Sequence, residues 1–199
     1  MNHFDSNLIK PVVYFGRITE SKGIKLIIRS IYELYQQGFP EISPLWIIGG
    51  NNPEIKKQRE QEEIKNMVLE LENNRLLFWW GHVPHETLPF ILRKCALFCF
   101  ASEYEPGGRT ILEAMACRLP VIATPQGFAP EIIKEGVNGF IIEEKIPQLW
   151  AEKIKILLSD NDLAYKMGEQ AQLTVKDYYT IDHFFQRHWE IYQGFQPKI

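Results

Sequence analysis

Val12-Val13-Tyr14-Phe15-Gly16-Arg17-Ile18-Thr19-Glu20-Ser21-Lys22-Gly23 passes from an apolar run, through a glycine turn, into a helical pattern. Ile24, Ile27, Ile28, Ile31 and Leu34 follow at helical spacing and form one apolar stripe that can lie on a sheet face. A short run without polar alternation is how a strand buried on both faces of a parallel sheet reads. Strand, turn and amphipathic helix together make the opening of a βαβ unit.

The alternation continues outward. Apolar runs recur at 45–48, 76–80, 97–100, 120–123 and 140–142. Between them lie the helical stripes Ile64, Met67, Val68, Leu71 and Leu88, Ile91, Leu92, Cys95. Such units connect right-handed. The expected fold is therefore α/β: a Rossmann-like, doubly wound, parallel sheet of six strands. Trp79-Trp80 is expected to continue a core strand rather than to form a stacking platform. Beyond Ile142 two helical patterns follow, Trp150, Ile154, Leu157, Leu158 and then Leu163, Met167, Ala171. A last pattern runs from Thr180 to about Phe195, with Ile181, Phe184, Phe185, Trp189 and Tyr192 on its apolar face. The expected organisation is a linker-like start at 1–10, one Rossmann-like domain at 11–178 and an aromatic helix at 179–199.

Composition excludes several classes. A formal net charge of −3 argues against nucleic acid or an anionic membrane surface as a partner. Cys95, Cys99 and Cys117 are odd in number, sit in apolar runs and form no Cys-x-x-Cys pair, which reads as reduced core thiols in a cytoplasmic protein. The polar, mixed start does not read as a signal peptide. His82 and His85 precede no Cys or carboxylate cluster, so no metal site is expected. His183 and His188, five apart on a helix, read as packing or solvated residues.

In a doubly wound sheet, ligands sit beyond the carboxyl ends of the strands. After the first strand, Gly16 permits close approach of a ligand, Arg17 offers a planar fork of donors and Lys22 a compact charge, beside a helix start that favours anions. This reads as a diphosphate site, or as two solvated basic residues beside a turn. After the fourth strand comes Glu105-Pro106-Gly107-Gly108-Arg109-Thr110, then Leu112-Glu113-Ala114-Met115-Ala116. A helix starting near Arg109 or Thr110 presents free N–H groups to phosphate oxygens. Glu105 and Glu113 suit sugar hydroxyls, because an ionised carboxylate accepts hydrogen bonds from O–H donors. Taken singly, Glu113 also reads as a first-turn helix carboxylate and Glu105 as a loop charge. After the fifth strand, Gly127 is a further place where a ligand could approach, before a helix opened by Pro130.

Together these segments resemble the C-terminal half of retaining GT-B glycosyltransferases, in particular glycosyltransferase family 4 (group 1). The resemblance runs in order along nearly the whole chain. It is carried by Gly16-Arg17 with Lys22-Gly23, Leu45 to Gly49, Phe78 to Val83, Glu105-Pro106-x-Gly108 with Glu113, Pro120 to Thr124, and Pro130-Glu131-Ile132 with Gly136-x-Asn138-Gly139. It implies that Arg17 and Lys22, with Gly108, Arg109 and Thr110, hold the donor diphosphate. Glu113 would bond the ribose. Glu105 would face the donor sugar as the catalytic residue, with Gly107 beside it, and Gly16, His82 and Val83 would border the nucleobase. No metal and no cofactor beyond the nucleotide-sugar substrate are implied. The sequence departs from the family at Gly107, where an aromatic or bulky residue is usual, at Arg109, where an aliphatic one is, and at Arg118, commonly Gly. Gly107 is expected to loosen the loop over the sugar.

The resemblance also implies a partner half. In GT-B enzymes an N-terminal domain supplies the acceptor site and a catalytic His. That domain is expected in cis or as a separate chain, with the aromatic last helix packing toward it and any peripheral membrane association arising only through it. The alternative is a standalone nucleotide or nucleotide-sugar binder, or a regulatory subunit, without transferase activity.

Overall fold

The computed structural model describes residues 10–194. Apart from Lys10, the linker-like start lies outside the described residues, as does Phe195. Six parallel strands, β1 (Val12–Phe15), β2 (Leu45–Ile48), β3 (Leu77–Gly81), β4 (Leu97–Phe100), β5 (Val121–Ala123) and β6 (Gly139–Ile141), form one sheet in the order β3-β2-β1-β4-β5-β6. This is the Rossmann order, with the reversal between β1 and β4. The β1–β2 ladder registers four residue pairs, whereas β1–β4 registers only Val12 with Leu97 and Val13 with Phe98. The central ladder thus ends early, and a crevice opens above it.

Because strand side chains alternate, the sheet builds two cores. Val12, Tyr14, Leu45, Ile47, Leu97 and Cys99 face α1 (Ile24–Gln36), α3 (Lys65–Asn73) and α7 (Pro147–Ser159). Val13, Phe15, Phe98, Phe100 and Val121 face α4 (Leu88–Leu92), α5 (Arg109–Ala116), α6 (Ala129–Ile132) and α8 (Asn161–Tyr178). The stripe of α1 is buried as its spacing predicts, with Ile24, Ile27, Ile28, Ile31 and Leu34 all at 1% exposure or less. Arg118 holds φ 66°, a backbone conformation that favours glycine. Its guanidinium donates to Gln172 Oε1 at 2.8 Å and so ties the turn after α5 to α8.

Two features depart from the sequence reading. The helix α2 (Asn52–Arg59) carries almost no apolar stripe; it is set by a capping box between Asn51 and Glu54 and by Pro53 in its first turn. β3 is not buried on both faces: Phe78 and Trp80 are 42% and 44% exposed. β3 is an edge strand, and the link from it to β4 carries only the five-residue α4. Trp80 packs on Trp46 of β2 instead, with ring centroids 4.7 Å apart. The pair Trp79-Trp80 therefore straddles the sheet, with Trp79 donating from Nε1 to Glu72 at 2.8 Å and Trp80 facing water. The last helix, α9 (Ile181–Gly194), buries no residue, and its Phe184, Phe185, Trp189 and Tyr192 are all exposed.

Candidate functional site

The loops that follow β1, β2 and β3 and the start of α5 enclose a cleft of about 520 Å³ at the carboxyl end of the sheet. Gly16, Arg17, His82, Val83, Thr110 and Glu113, six of the residues singled out in the sequence, line it together. Tyr14 fixes the first loop by donating from its buried hydroxyl to the Arg17 carbonyl at 2.5 Å. Burial pushes the Tyr14 phenol well above its ordinary range, so it remains a donor. The Arg17 side chain is left exposed at the rim.

Glu113 reaches the cleft from the second turn of α5 and is half-buried. Burial raises its carboxyl above the usual range, and the nearby charges of His85 and Arg109 offset this only in part. Among the described residues no hydrogen bond reaches it. It is a partly desolvated acceptor with its capacity unspent. Arg109, the first residue of α5, is exposed.

Lys22 and Glu105 form a second cluster at the same end of the sheet. Lys22 is buried, not solvated, and its Nζ donates to Glu105 Oε2 at 2.5 Å and to the Tyr104 carbonyl at 3.4 Å. The other carboxylate oxygen of Glu105 accepts from the N–H groups of Gly107 and Gly108 at 3.3 and 3.2 Å. Partial burial opposes ionisation of Glu105, but Lys22 and the two amides outweigh it and hold the carboxyl below its usual range. The Lys22 loop can approach because Gly23 sits against the Ala101 carbonyl, where a Cβ would come within 1.9 Å of the oxygen. Gly107 is bonded on both sides of its backbone. Its carbonyl accepts from Phe128 N at 2.7 Å, and its amide is held by Glu105.

The sequence reading missed Gly49, Gly50, Asn51 and Glu54, which line the cleft from the loop after β2. The glycine pair directly after a strand, followed by Asn-x-x-Glu, was the signal for them. It also missed His85 as the neighbour of Glu113. A larger groove of about 840 Å³ runs along the β2–β3 edge beside Ile42, Pro44, Trp46, Phe78 and Trp80. It is apolar and open, contains none of the candidate site residues, and has Arg75 as its charged residue, so the smaller cleft is the candidate site. Among the described residues no cluster of three or more His, Cys, Asp or Glu could hold a metal ion, and no helix is long and apolar enough to cross a membrane.

Residues 7–174 match the family described as Glycosyl transferases group 1. The D-inositol 3-phosphate glycosyltransferase of Corynebacterium jeikeium is 29% identical over 162 residues, covering 81% of this chain and 38% of that protein. The chain thus spans well under two thirds of this relative's length. Among solved structures, Anabaena HepE in complex with UDP superposes with a TM-score of 0.79 at 24% identity, over 92% of this chain and 48% of that one. The same protein is also solved with UDP-glucose. The C-terminal domain of a glycosyl transferase group 1 family protein from Francisella tularensis superposes with a TM-score of 0.73 at 26% identity, over 86% of this chain and 89% of that domain. With the sheet order, the cleft at its switch point and the family match in agreement, the chain belongs to the group 1 glycosyltransferases and corresponds to their C-terminal, Rossmann-like domain.

Proposed function

We propose that the chain binds the nucleotide-sugar donor for retaining glycosyl transfer, as the C-terminal half of a GT-B enzyme. The observation that carries this reading is Glu113, a half-buried carboxylate that no hydrogen bond reaches among the described residues, in a cleft whose rim holds Arg17. A ribose diol supplies the O–H donors that Glu113 lacks, and a diphosphate supplies the anion that Arg17 suits. Lys22 Nζ has three N–H groups and spends two on Glu105 and Tyr104, which leaves one for a phosphate oxygen. Arg109 and Thr110, the first two residues of α5, add helix-start backbone N–H groups beside it, while the Gly108 N–H is held by Glu105 and lines the same turn. Glu105, beyond them, faces the sugar, and Gly16, His82 and Val83 border the base.

In this reading the bond from the sugar C1 to the β-phosphate oxygen breaks, a new C1–O bond to the acceptor oxygen forms on the same face of the ring, and the acceptor hydroxyl's proton passes to the departing diphosphate. The two cations stabilise the charge that develops on the departing diphosphate, without a resident metal or further cofactor. The acceptor comes from a second domain, in cis or as a separate chain, because the reaction requires both substrates to be held together. The three unpaired, buried cysteines support a reducing compartment, the cytoplasm, as its location.

The complexes of HepE make UDP and UDP-glucose the first probes. Calorimetry on the 199-residue chain should show both ligands binding, with no transfer to any acceptor until the N-terminal half is added. Failure to bind any nucleoside diphosphate would sink the proposal. Transfer by this chain alone, at a rate unchanged by the other half, would show it to be a complete enzyme.

A further inference from the structure

The side chain of Phe128 has no part in the cleft or in the Lys22–Glu105 cluster. The residue precedes the four-residue α6, at the carboxyl end of β5, and is 37% exposed. Its ring lies against Gly107. A Cβ built on Gly107 would meet only this ring, at 3.6 Å from Cε2 and 4.0 Å from Cζ. These are ordinary van der Waals distances, and the Gly107 backbone is not in the left-handed region, so neither space nor backbone demands glycine there. The two loops are locked in register. Phe128 N donates to the Gly107 carbonyl, and Gly127, at φ 58°, approaches that carbonyl so closely that a Cβ would fall within 2.2 Å of its oxygen.

The consequence is a half-exposed aromatic ring fixed on the peptide next to Glu105, whose carboxylate bonds the amide of the same Gly107. The ring fills the side of residue 107 that a bulky side chain at that position would otherwise fill. Resting on the donor-site reading, we propose that Phe128 is the specificity-determining wall of the donor-sugar subsite. Its apolar face packs on the C–H face of a neutral hexopyranose, while the Glu105 side of the loop meets the hydroxyls. The aromatic surface of the subsite thus comes from the loop after β5 instead of the loop after β4.

The test is calorimetry on the full chain with UDP and UDP-glucose, comparing Phe128→Ala and the double variant Gly107→Phe/Phe128→Ala, with the melting temperature of each recorded. Phe128→Ala should weaken UDP-glucose by about five- to tenfold and leave UDP within about twofold. The double variant, which returns an aromatic ring to the same space from the other loop, should recover most of the lost UDP-glucose affinity. Equal weakening of the two ligands, or no change in their ratio, overturns the wall. A selective loss that the double variant does not recover overturns the equivalence of the two positions. If the wild-type chain binds neither ligand, the donor-site reading itself fails, and this inference fails with it. A melting temperature unchanged by Phe128→Ala separates a wall from a structural prop.

Discussion

Replacing Glu113 by Gln is expected to weaken ligand binding without weakening the fold. The carboxylate is half-buried and accepts no hydrogen bond among the described residues, and the attraction of His85 and Arg109 does not make up for its burial, so the folded chain gains nothing net from its charge. A ribose diol donating to it forms charge-assisted bonds of roughly 1.5–3 kcal/mol, against roughly 0.5–1.5 for a neutral acceptor. Glutamine keeps the shape and one carbonyl oxygen, so the loss is about 1–1.5 kcal/mol, or about five- to tenfold in Kd. Because the contact is to ribose, uridine and UDP should lose equally in calorimetry. The stability response has the opposite sign. Burial raises the folded pKa of Glu113 above its unfolded value. The wild-type fold is therefore penalised as pH rises past about 4.3, the ordinary glutamate value, and fully so above the folded pKa. Glu113→Gln removes the penalty. Its melting temperature at pH 7 should equal or exceed that of wild type, with the difference closing below about pH 4. Selective loss of UDP with uridine unchanged, or a lowered melting temperature at pH 7, would refute this reasoning.

Two further substitutions separate the remaining roles. Arg17→Ala should cost UDP roughly 1.5 kcal/mol, the low end for a charged hydrogen bond because the side chain is exposed, and should leave uridine unaffected; equal losses in calorimetry would remove Arg17 from the diphosphate. Glu105→Gln should weaken UDP-glucose more than UDP, and equal weakening would mean that Glu105 does not face the sugar. The same variant should destabilise the fold by about 1 kcal/mol at pH 7, since Lys22 is buried and loses its anionic partner. As the folded pKa of Glu105 is depressed, that contribution is present above the unfolded glutamate value near pH 4.3 and is lost as pH falls through the folded pKa. Wild type and variant should therefore converge in acid melting curves, and a gap that persists below the folded pKa would assign the effect to packing.

Much of the molecule was legible because sheet burial and helix amphipathicity leave periodic marks. The stripe from Ile24 to Leu34 and the runs around Val13 and Phe98 are such marks, and all are buried. Fold and site position follow from these marks, since the cleft must lie past the strand ends. What stayed hidden depends on tertiary neighbours. Trp80 looks identical in sequence whether a helix covers it or not, and only the short α4 at the sheet edge decides that it is exposed. α2 is fixed by caps rather than by an apolar face, so periodicity could not reveal it. Lys22 and Glu105 were each read as facing ligand. Their pairing across 83 residues is a property of how two loops cross above β1 and β4.

The short β1–β4 ladder also bears on how this polypeptide is assembled. β1 precedes the other strands of this sheet in the chain and lies at the sheet's centre beside β4, so one of its edges stays open until residues 97–100 have emerged. For that interval the nascent chain offers an unpaired apolar edge, a state prone to wrong partners. Only the pairs Val12 with Leu97 and Val13 with Phe98 then register the two halves, and the closing clamp comes later still, when α7 packs onto α1. Sub-global opening should accordingly part the molecule along this seam, between β3-β2-β1 and β4-β5-β6. The Lys22–Glu105 contact crosses the same seam, and a ligand spanning Arg17 and Glu113 would cross it again. Occupancy of the cleft would therefore act on the junction between the two halves of the sheet, making the ligand a clasp that opposes their parting.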